Sequence, residues 1–149
     1  MSEKIDIVKQ WIEKADHDLG TAQVTYLYLP KYHDTIAFHC QQAAEKYLKG
    51  FLLFLDISFS RQHSLNYLLG LLSQKIEIPD ELFDNASELE DFAVDITYPD
   101  LRAGQLPNCL TIFVKTACEF SFLSIDVLAM SAISECLIEI HESFPILSQ

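Results

Sequence analysis

The chain has little glycine and little proline, four and five respectively among 149 residues. Tight β-turns depend on these residue types, so their scarcity disfavours a fold of many short strands. Half of the residues are hydrophobic, which is enough for one core in a domain of ordinary size. We therefore expect an all-α protein in which residues 1–149 form a single domain.

Basic residues are also scarce. Ten lysines and arginines stand against 22 acids, and the formal net charge is −12. Binding to nucleic acid depends on clustered cations that displace counterions from phosphates, and the field of this molecule opposes it. We therefore do not expect nucleic acid as a partner.

The motifs of metal, phosphate and nucleophile sites are missing. The chain has no HExxH pattern, no glycine-rich phosphate loop and no Gly-x-Ser-x-Gly elbow. Its cysteines lie far apart without CxxC spacing and predict reduced core thiols: Cys40, Cys109, Cys118 and Cys136. The first residues contain no apolar signal core. We expect no metal and no cofactor in a cytoplasmic protein.

The stretch from Asp34 to Leu55 carries the clearest helical pattern. Its apolar residues recur every three or four positions and form one stripe: Ala37, Cys40, Ala44, Tyr47, Leu48, Phe51 and Leu55. Four polar residues line up on another face of this helix, here called the polar face: His39, Gln42, Lys46 and Lys49. With Asp34 as its N-cap, this segment is predicted to be the central helix of a bundle.

Three further helices follow from the same spacing. The first runs from Ile5 to Leu29, antiparallel to the central helix, and its outer side holds Lys9, Lys14, Asp16 and Asp18. Its apolar seam is predicted at Ile5, Val8, Ile12, Ala15, Leu19, Ala22, Tyr26 and Leu29. A short helix begins at Leu65, capped by Ser64 or His63, and ends near Lys75. Another starts at Pro79 with its seam at Leu82, Ala86, Leu89, Ala93 and Ile96, and its acidic outer side is expected to face solvent or a basic partner.

The last predicted helix covers residues 108–142. Its apolar residues fall on several sides, but Lys115, Glu119 and Asp126 argue against a membrane span. A helix of this kind in a small bundle is expected to touch a second subunit as well as its own core, which predicts a homodimer.

The run Phe38-His39-Cys40-Gln41-Gln42-Ala43-Ala44-Glu45-Lys46-Tyr47-Leu48-Lys49-Gly50 resembles the signature of the HEPN domain, a small all-helical family. The pair His63-Ser64 and the triplet Tyr98-Pro99-Asp100 are similar to short motifs of many HEPN proteins. The resemblance implies a five-helix up-and-down bundle, in which a four-helix core like that of a nucleotidyltransferase substrate-binding subunit is joined by a short helix.

HEPN domains that act as metal-independent ribonucleases carry an Arg, a short spacer and then a His. The His serves as general acid and base, and the Arg holds the phosphate. In this chain Arg102 is followed by Asn108 at that place, and an amide cannot carry the proton. Thr97 stands where relatives often have Arg. The family's ribonuclease chemistry is therefore not expected.

Similar small HEPN proteins form homodimers and act with a minimal nucleotidyltransferase, as a substrate-binding partner or as a toxin–antitoxin pair. The resemblance implies a non-catalytic subunit of this kind, with a nucleotide or phosphate bound by His39, Gln42, Lys46, Lys49, Tyr98, Arg102 and Asn108. The polar face has a simpler interpretation, a solvated helix surface. The alternative functions are a ribonuclease toxin that uses Arg102 with another base, and an interaction module without a ligand.

Overall fold

The structure is a computed structural model that describes residues 2–95. Four α-helices occur in this range: α1 Ser2–Tyr28, α2 His33–Phe54, α3 Leu65–Leu72 and α4 Asp80–Asp95. No strand interrupts residues 2–95, so the all-α fold class is confirmed. The helix expected at residues 108–142 lies outside the described residues. None of the four described helices is long and apolar enough to cross a membrane.

Helices α1 and α2 form an antiparallel pair. Lys4 near the start of α1 contacts Asp56 just after α2, with 2.6 Å between Nζ and Oδ2, while Asp18 reaches back to His39. The predicted seam of α1 is buried at Val8, Ala15, Leu19 and Ala22. Leu29 was expected to continue this seam but is 48 % exposed, because α1 ends at Tyr28 and Leu29 belongs to the turn.

Gly50 sets how closely α1 and α2 approach. A Cβ atom at this position would lie 3.3 Å from the Cβ of Trp11 and 3.9 Å from the Val8 carbonyl oxygen. Since Trp11 Cβ is attached directly to the backbone of α1, a side chain here would push the two helices apart. The absence of a side chain at residue 50 therefore allows α1 and α2 to lie this close together.

The start of α2 differs from the prediction. The helix begins at His33, its N-cap is Tyr32, and no side chain caps it. Asp34 lies inside the first turn, where its negative charge still favours the positive end of the helix dipole. The prediction that Asp34 is the N-cap was therefore wrong by two residues, because the N-cap is Tyr32.

The core lies where α2 meets α3 and α4. The predicted stripe of α2 is buried at Ala37, Cys40, Ala44, Leu48 and Phe51, whereas Tyr47 and Leu55 are half-buried at its edge. Cys40 is a reduced, buried thiol, as predicted, and the other three cysteines lie outside the described residues. The leucines of α3 and the Leu82–Leu89 side of α4 complete the core.

Short polar contacts define the ends of α3 and α4. Ser64 is the N-cap of α3, since its Oγ accepts a hydrogen bond from the Tyr67 N–H at 3.2 Å, and His63 does not cap the helix. Helix α3 ends at Leu72, shorter than expected. Helix α4 begins directly after Pro79, as predicted, and the carboxylate of Glu90 accepts a hydrogen bond from the Leu65 N–H.

Candidate binding site on the second helix

The polar face of α2 is turned towards α1, where the Asp18 carboxylate contacts two side chains of this face. The Nδ1 of His39 lies 2.8 Å from Asp18 Oδ1, and the Nζ of Lys46 lies 2.5 Å from Asp18 Oδ2. His39 and Lys46 are two helical turns apart and therefore share one side of α2. One carboxylate from α1 thus brings together two residues that the sequence proposed as ligands.

The charge of Asp18 is stabilised by these contacts. Burial raises the pKa of Asp18, but the hydrogen bonds from Lys46 and His39 and their nearby charges outweigh it and leave the pKa below its usual value. Asp18 is consequently ionised at neutral pH and offsets the charge of the Lys46 ammonium.

Gln42 links this contact to a second cluster on α2. Its Oε1 accepts a hydrogen bond from Lys46 Nζ at 3.1 Å, and its Nε2 donates to the Gln41 Oε1 at 3.0 Å and to Glu45 Oε2 at 3.4 Å. The ammonium of Lys46 is therefore held from both sides. We call Asp18, His39, Gln42 and Lys46 the Asp18 site.

Lys49, the fourth residue of the polar face, has a different role. Its Nζ donates to Glu45 Oε1 at 2.7 Å, and both side chains are buried, 7 % and 5 % exposed. The same ammonium lies 5.8 Å from the ring centroid of Trp11 and 5.9 Å from that of Phe59. Lys49 is therefore enclosed by α1 and the loop after α2, and the interpretation of the polar face as a solvated surface fails there.

Glu45 also holds the loop before α3. The Nδ1 of His63 lies 3.0 Å from Glu45 Oε1, and the main-chain carbonyl of His63 accepts a hydrogen bond from Gln41 Nε2 at 3.2 Å. The His63 side chain is nevertheless 76 % exposed. A buried carboxylate thus orients an imidazole that faces solvent, and His63 fixes the loop through this bond instead of by capping α3.

Asp16 on α1 provides a contrast to Asp18. Its Oδ1 accepts a hydrogen bond from the Tyr47 hydroxyl of α2. Burial raises the pKa of Asp16 above its usual value, and this hydrogen bond opposes the change only in part. Both aspartates were expected on the outer side of α1, and both instead contact α2.

Three of the seven proposed ligand residues meet at the Asp18 site: His39, Gln42 and Lys46. Lys49 lies in the adjoining buried pair, and Tyr98, Arg102 and Asn108 lie outside the described residues. Sequence reasoning missed Asp18 as the acid that organises this face. Among residues 2–95, no group of three or more His, Cys, Asp or Glu side chains has an arrangement that could hold a metal ion.

These features define a small helical bundle whose second helix combines a core stripe with a polar site facing the first helix. The family model of the HEPN domain matches residues 8–121, which is more than half of the chain, and the protein belongs to the HEPN family. An archaeal HEPN homologue known from a crystal structure, ST0689, is similar, with 26% sequence identity and a TM-score of 0.57. That likeness covers 73% of this chain and 90% of the homologue. No curated protein matches the chain.

Proposed function

We propose that this protein is a non-catalytic HEPN subunit that binds a nucleotide, through its phosphate, at the Asp18 site and acts with a small nucleotidyltransferase. The observation that carries the proposal is the position of the Lys46 ammonium between Asp18 and Gln42, with His39 on the same carboxylate. A cation that is already oriented loses little entropy when it binds a phosphate.

The charge balance of the site supports a mononucleotide over a polyanion. The Lys46 side chain is 20% exposed and that of His39 25%, so part of each side chain is open to a ligand. Asp18 cancels the charge of Lys46, and the chain as a whole carries −12. A single phosphate, with Arg102 as a second proposed ligand, is compatible with this charge balance, whereas a long nucleic acid is repelled.

Calorimetric titration of ATP and of GTP tests the nucleotide site. We expect binding by the wild type and a loss of about tenfold or more in Lys46→Met, which keeps the apolar stem but removes the donor. Lys9→Met is the matched control, because Lys9 is exposed on α1 away from the site. No heat from the wild type at millimolar nucleotide, or equal affinity in Lys46→Met, contradicts the proposal.

If a small nucleotidyltransferase is encoded beside this chain, co-expression of the two proteins tests the partner. We expect the two proteins to elute together in size-exclusion chromatography, and light scattering of the isolated protein to report a homodimer. Separate elution of the two proteins at micromolar concentration argues against a stable complex between them.

A second candidate function, the ribonuclease toxin, is favoured by one observation. The degenerate motif of that candidate, Arg102 and Asn108, lacks a general base. His63 is arranged as a general base would be, because Glu45 contacts its Nδ1 and the rest of the ring is exposed. In such a reaction the imidazole removes the proton of a ribose 2′-hydroxyl, and this oxygen attacks the phosphate that Arg102 holds. The bond from phosphorus to the 5′-oxygen breaks, a 2′,3′-cyclic phosphate forms, and the 5′-oxygen leaves with a proton from the imidazolium.

Incubation with total RNA separates the two candidates. Cleavage by the wild type that is lost in both His63→Gln and Arg102→Ala, but retained in His17→Gln, replaces the first proposal with the second. His17 is an exposed histidine of α1 and controls for nonspecific effects of removing an imidazole. No cleavage by the wild type removes the ribonuclease candidate.

A further inference from the structure

The ring of Phe38 is the one large apolar side chain that helix α2, His33–Phe54, leaves open among the described residues. Phe38 is 54 % exposed, whereas the other aromatic residues of this helix are buried or half-buried against the core. A single exposed apolar residue needs no explanation in itself. The position of Phe38 makes it significant, because its ring contacts a residue of the Asp18 site.

That contact, with His39, orients the Phe38 ring. The two ring centroids are 5.3 Å apart and the ring planes are inclined by 77°, which is the edge-to-face geometry that aromatic pairs favour. The imidazole is itself anchored to α1, because its Nδ1 lies 2.8 Å from Asp18 Oδ1. Phe38 therefore packs against a fixed partner. An oriented aromatic side chain with only two torsions loses little entropy when a ligand binds to it.

Phe38, Gln42 and Lys46 follow one another at intervals of four residues and form one inclined row along α2. The Cα atoms at the two ends of the row are about 12 Å apart along the axis, at about 1.5 Å per residue. The Lys46 side chain shortens this distance, since its Nζ reaches back to Gln42 Oε1 at 3.1 Å. The spacing of ring and ammonium is comparable to that of base and phosphates in a mononucleotide.

The charges along α2 give this row a direction. Asp34, one turn before Phe38, is the other exposed residue of the helix. Its carboxylate offsets the positive end of the helix dipole and disfavours a phosphate on that side of Phe38. The donors, His39 and Lys46, come after Phe38. A ligand that places a flat ring on Phe38 is therefore expected to extend its phosphates towards Lys46.

We propose that Phe38 recognises the base of the bound nucleotide by stacking, while Lys46 binds the phosphate. This inference rests on the proposed function, because it extends the Asp18 site by one residue. Every nucleobase has a flat π-surface, so one aromatic ring accepts any of them. Phe38 thus separates nucleotides from phosphate compounds that lack a base, without selecting one base over another.

Calorimetric titration of full-length variants distinguishes base recognition from phosphate binding. Phe38→Leu keeps an apolar side chain but removes the ring, and we expect the affinity for ATP to fall about tenfold. Phe38→Trp keeps an aromatic ring and is expected to bind ATP as the wild type does. The affinity for inorganic triphosphate, which has no base, is expected to be the same in both variants as in the wild type. Tyr28→Leu is the matched control, because Tyr28 is an aromatic residue of α1 that is 78 % exposed.

Nuclear Overhauser effects between ligand and protein give a second readout, which does not depend on the triphosphate. At saturating ATP, the adenine ring protons are expected to show these effects to the ring protons of Phe38. The effects are expected to disappear in Phe38→Leu and to involve the indole in Phe38→Trp. All titrations are made at a temperature at which thermal unfolding shows each variant to be folded.

The results distinguish failure of the stacking from failure of the proposed function. If Phe38→Leu binds ATP as tightly as the wild type while Lys46→Met binds it weakly, the nucleotide site stands and the stacking is wrong. Equal losses of affinity for ATP and for triphosphate in Phe38→Leu indicate that Phe38 only packs against His39, and overturn the inference. The absence of Overhauser effects to Phe38 in the saturated complex overturns it as well. No binding of ATP by the wild type contradicts the proposed function, and the inference with it.

Discussion

Lys49 and Glu45 form a buried ion pair on one side of α2, one turn apart, with 2.7 Å between Nζ and Oε1. Burial of either charge alone is costly, and the pair offsets that cost only while both partners are present. Trp11 of α1 and Phe59 of the following loop lie within 6 Å of the ammonium. The pair therefore belongs to the packing between α1, α2 and the loop.

Removal of one partner is expected to destabilise the fold strongly. Lys49→Met leaves the Glu45 carboxylate buried without its cation, and we expect a loss of about 3 kcal/mol in the free energy of unfolding. The double variant Glu45→Met with Lys49→Met is expected to recover part of this loss, because no unpaired charge remains. Urea unfolding followed by circular dichroism measures both, with the exposed Lys9→Met as control. A loss below about 0.5 kcal/mol in Lys49→Met contradicts the role assigned to the pair.

Asp16 and Asp18 are expected to give opposite pH dependences of stability. The folded-state pKa of Asp18 is lowered, so its contribution is present above the ordinary value of 3.8 and is lost as the pH falls through the folded pKa. The folded-state pKa of Asp16 is raised, so its contribution is full below 3.8 and is lost as the pH rises through the folded pKa.

Unfolding free energies of Asp18→Asn and Asp16→Asn across acidic and neutral pH check this prediction. The stability that the wild type has beyond Asp18→Asn is expected to shrink on acidification below about pH 4. The stability that the wild type has beyond Asp16→Asn is instead expected to shrink as the pH rises above that value. If the unfolding free energies of the two variants depended on pH in the same way, the two carboxylates would have equivalent surroundings, and the opposite pKa changes of Asp16 and Asp18 would be wrong.

The glycines of α2 and α3 are expected to respond differently to alanine. Alanine in a helix interior normally gains about 0.5–1 kcal/mol over glycine. Gly70 has nothing within 4 Å of an added Cβ, so Gly70→Ala is expected to show this gain. Gly50→Ala meets Trp11 at 3.3 Å, and we expect the gain to be cancelled or reversed. Equal gains in urea unfolding would show that α1 and α2 are packed less closely at this point.

The stripes of α1 and α2 were predictable because burial repeats every three or four residues, and Ser64 was identified as one of two caps from its place before Leu65. The Asp18 site was only half predictable. The sequence places His39, Gln42 and Lys46 on one face, since they lie on one helix. It does not tell which residue of α1 faces them, because this depends on the register in which α1 and α2 pack.

Loss of the cap of α3 is expected to have a moderate effect. Ser64→Ala removes the acceptor of the Tyr67 N–H, and a loss of about 1 kcal/mol is typical for an N-cap. Ser58→Ala, an exposed serine of the same loop, is the control and is expected to change stability by less than about 0.5 kcal/mol. If the two variants unfold at the same urea concentration, the hydrogen bond from Tyr67 contributes nothing.

The proposed nucleotide site lies where α1 and α2 hold Lys46 between Asp18 and Gln42. Titration of the ¹⁵N-labelled protein with ATP, followed through the amide resonances, tests this site residue by residue. We expect saturable shifts centred on Asp18, His39, Gln42 and Lys46, and unchanged resonances near Leu53 at the other end of α2. The absence of shifts at millimolar ATP, or shifts centred on His63 instead, would contradict it.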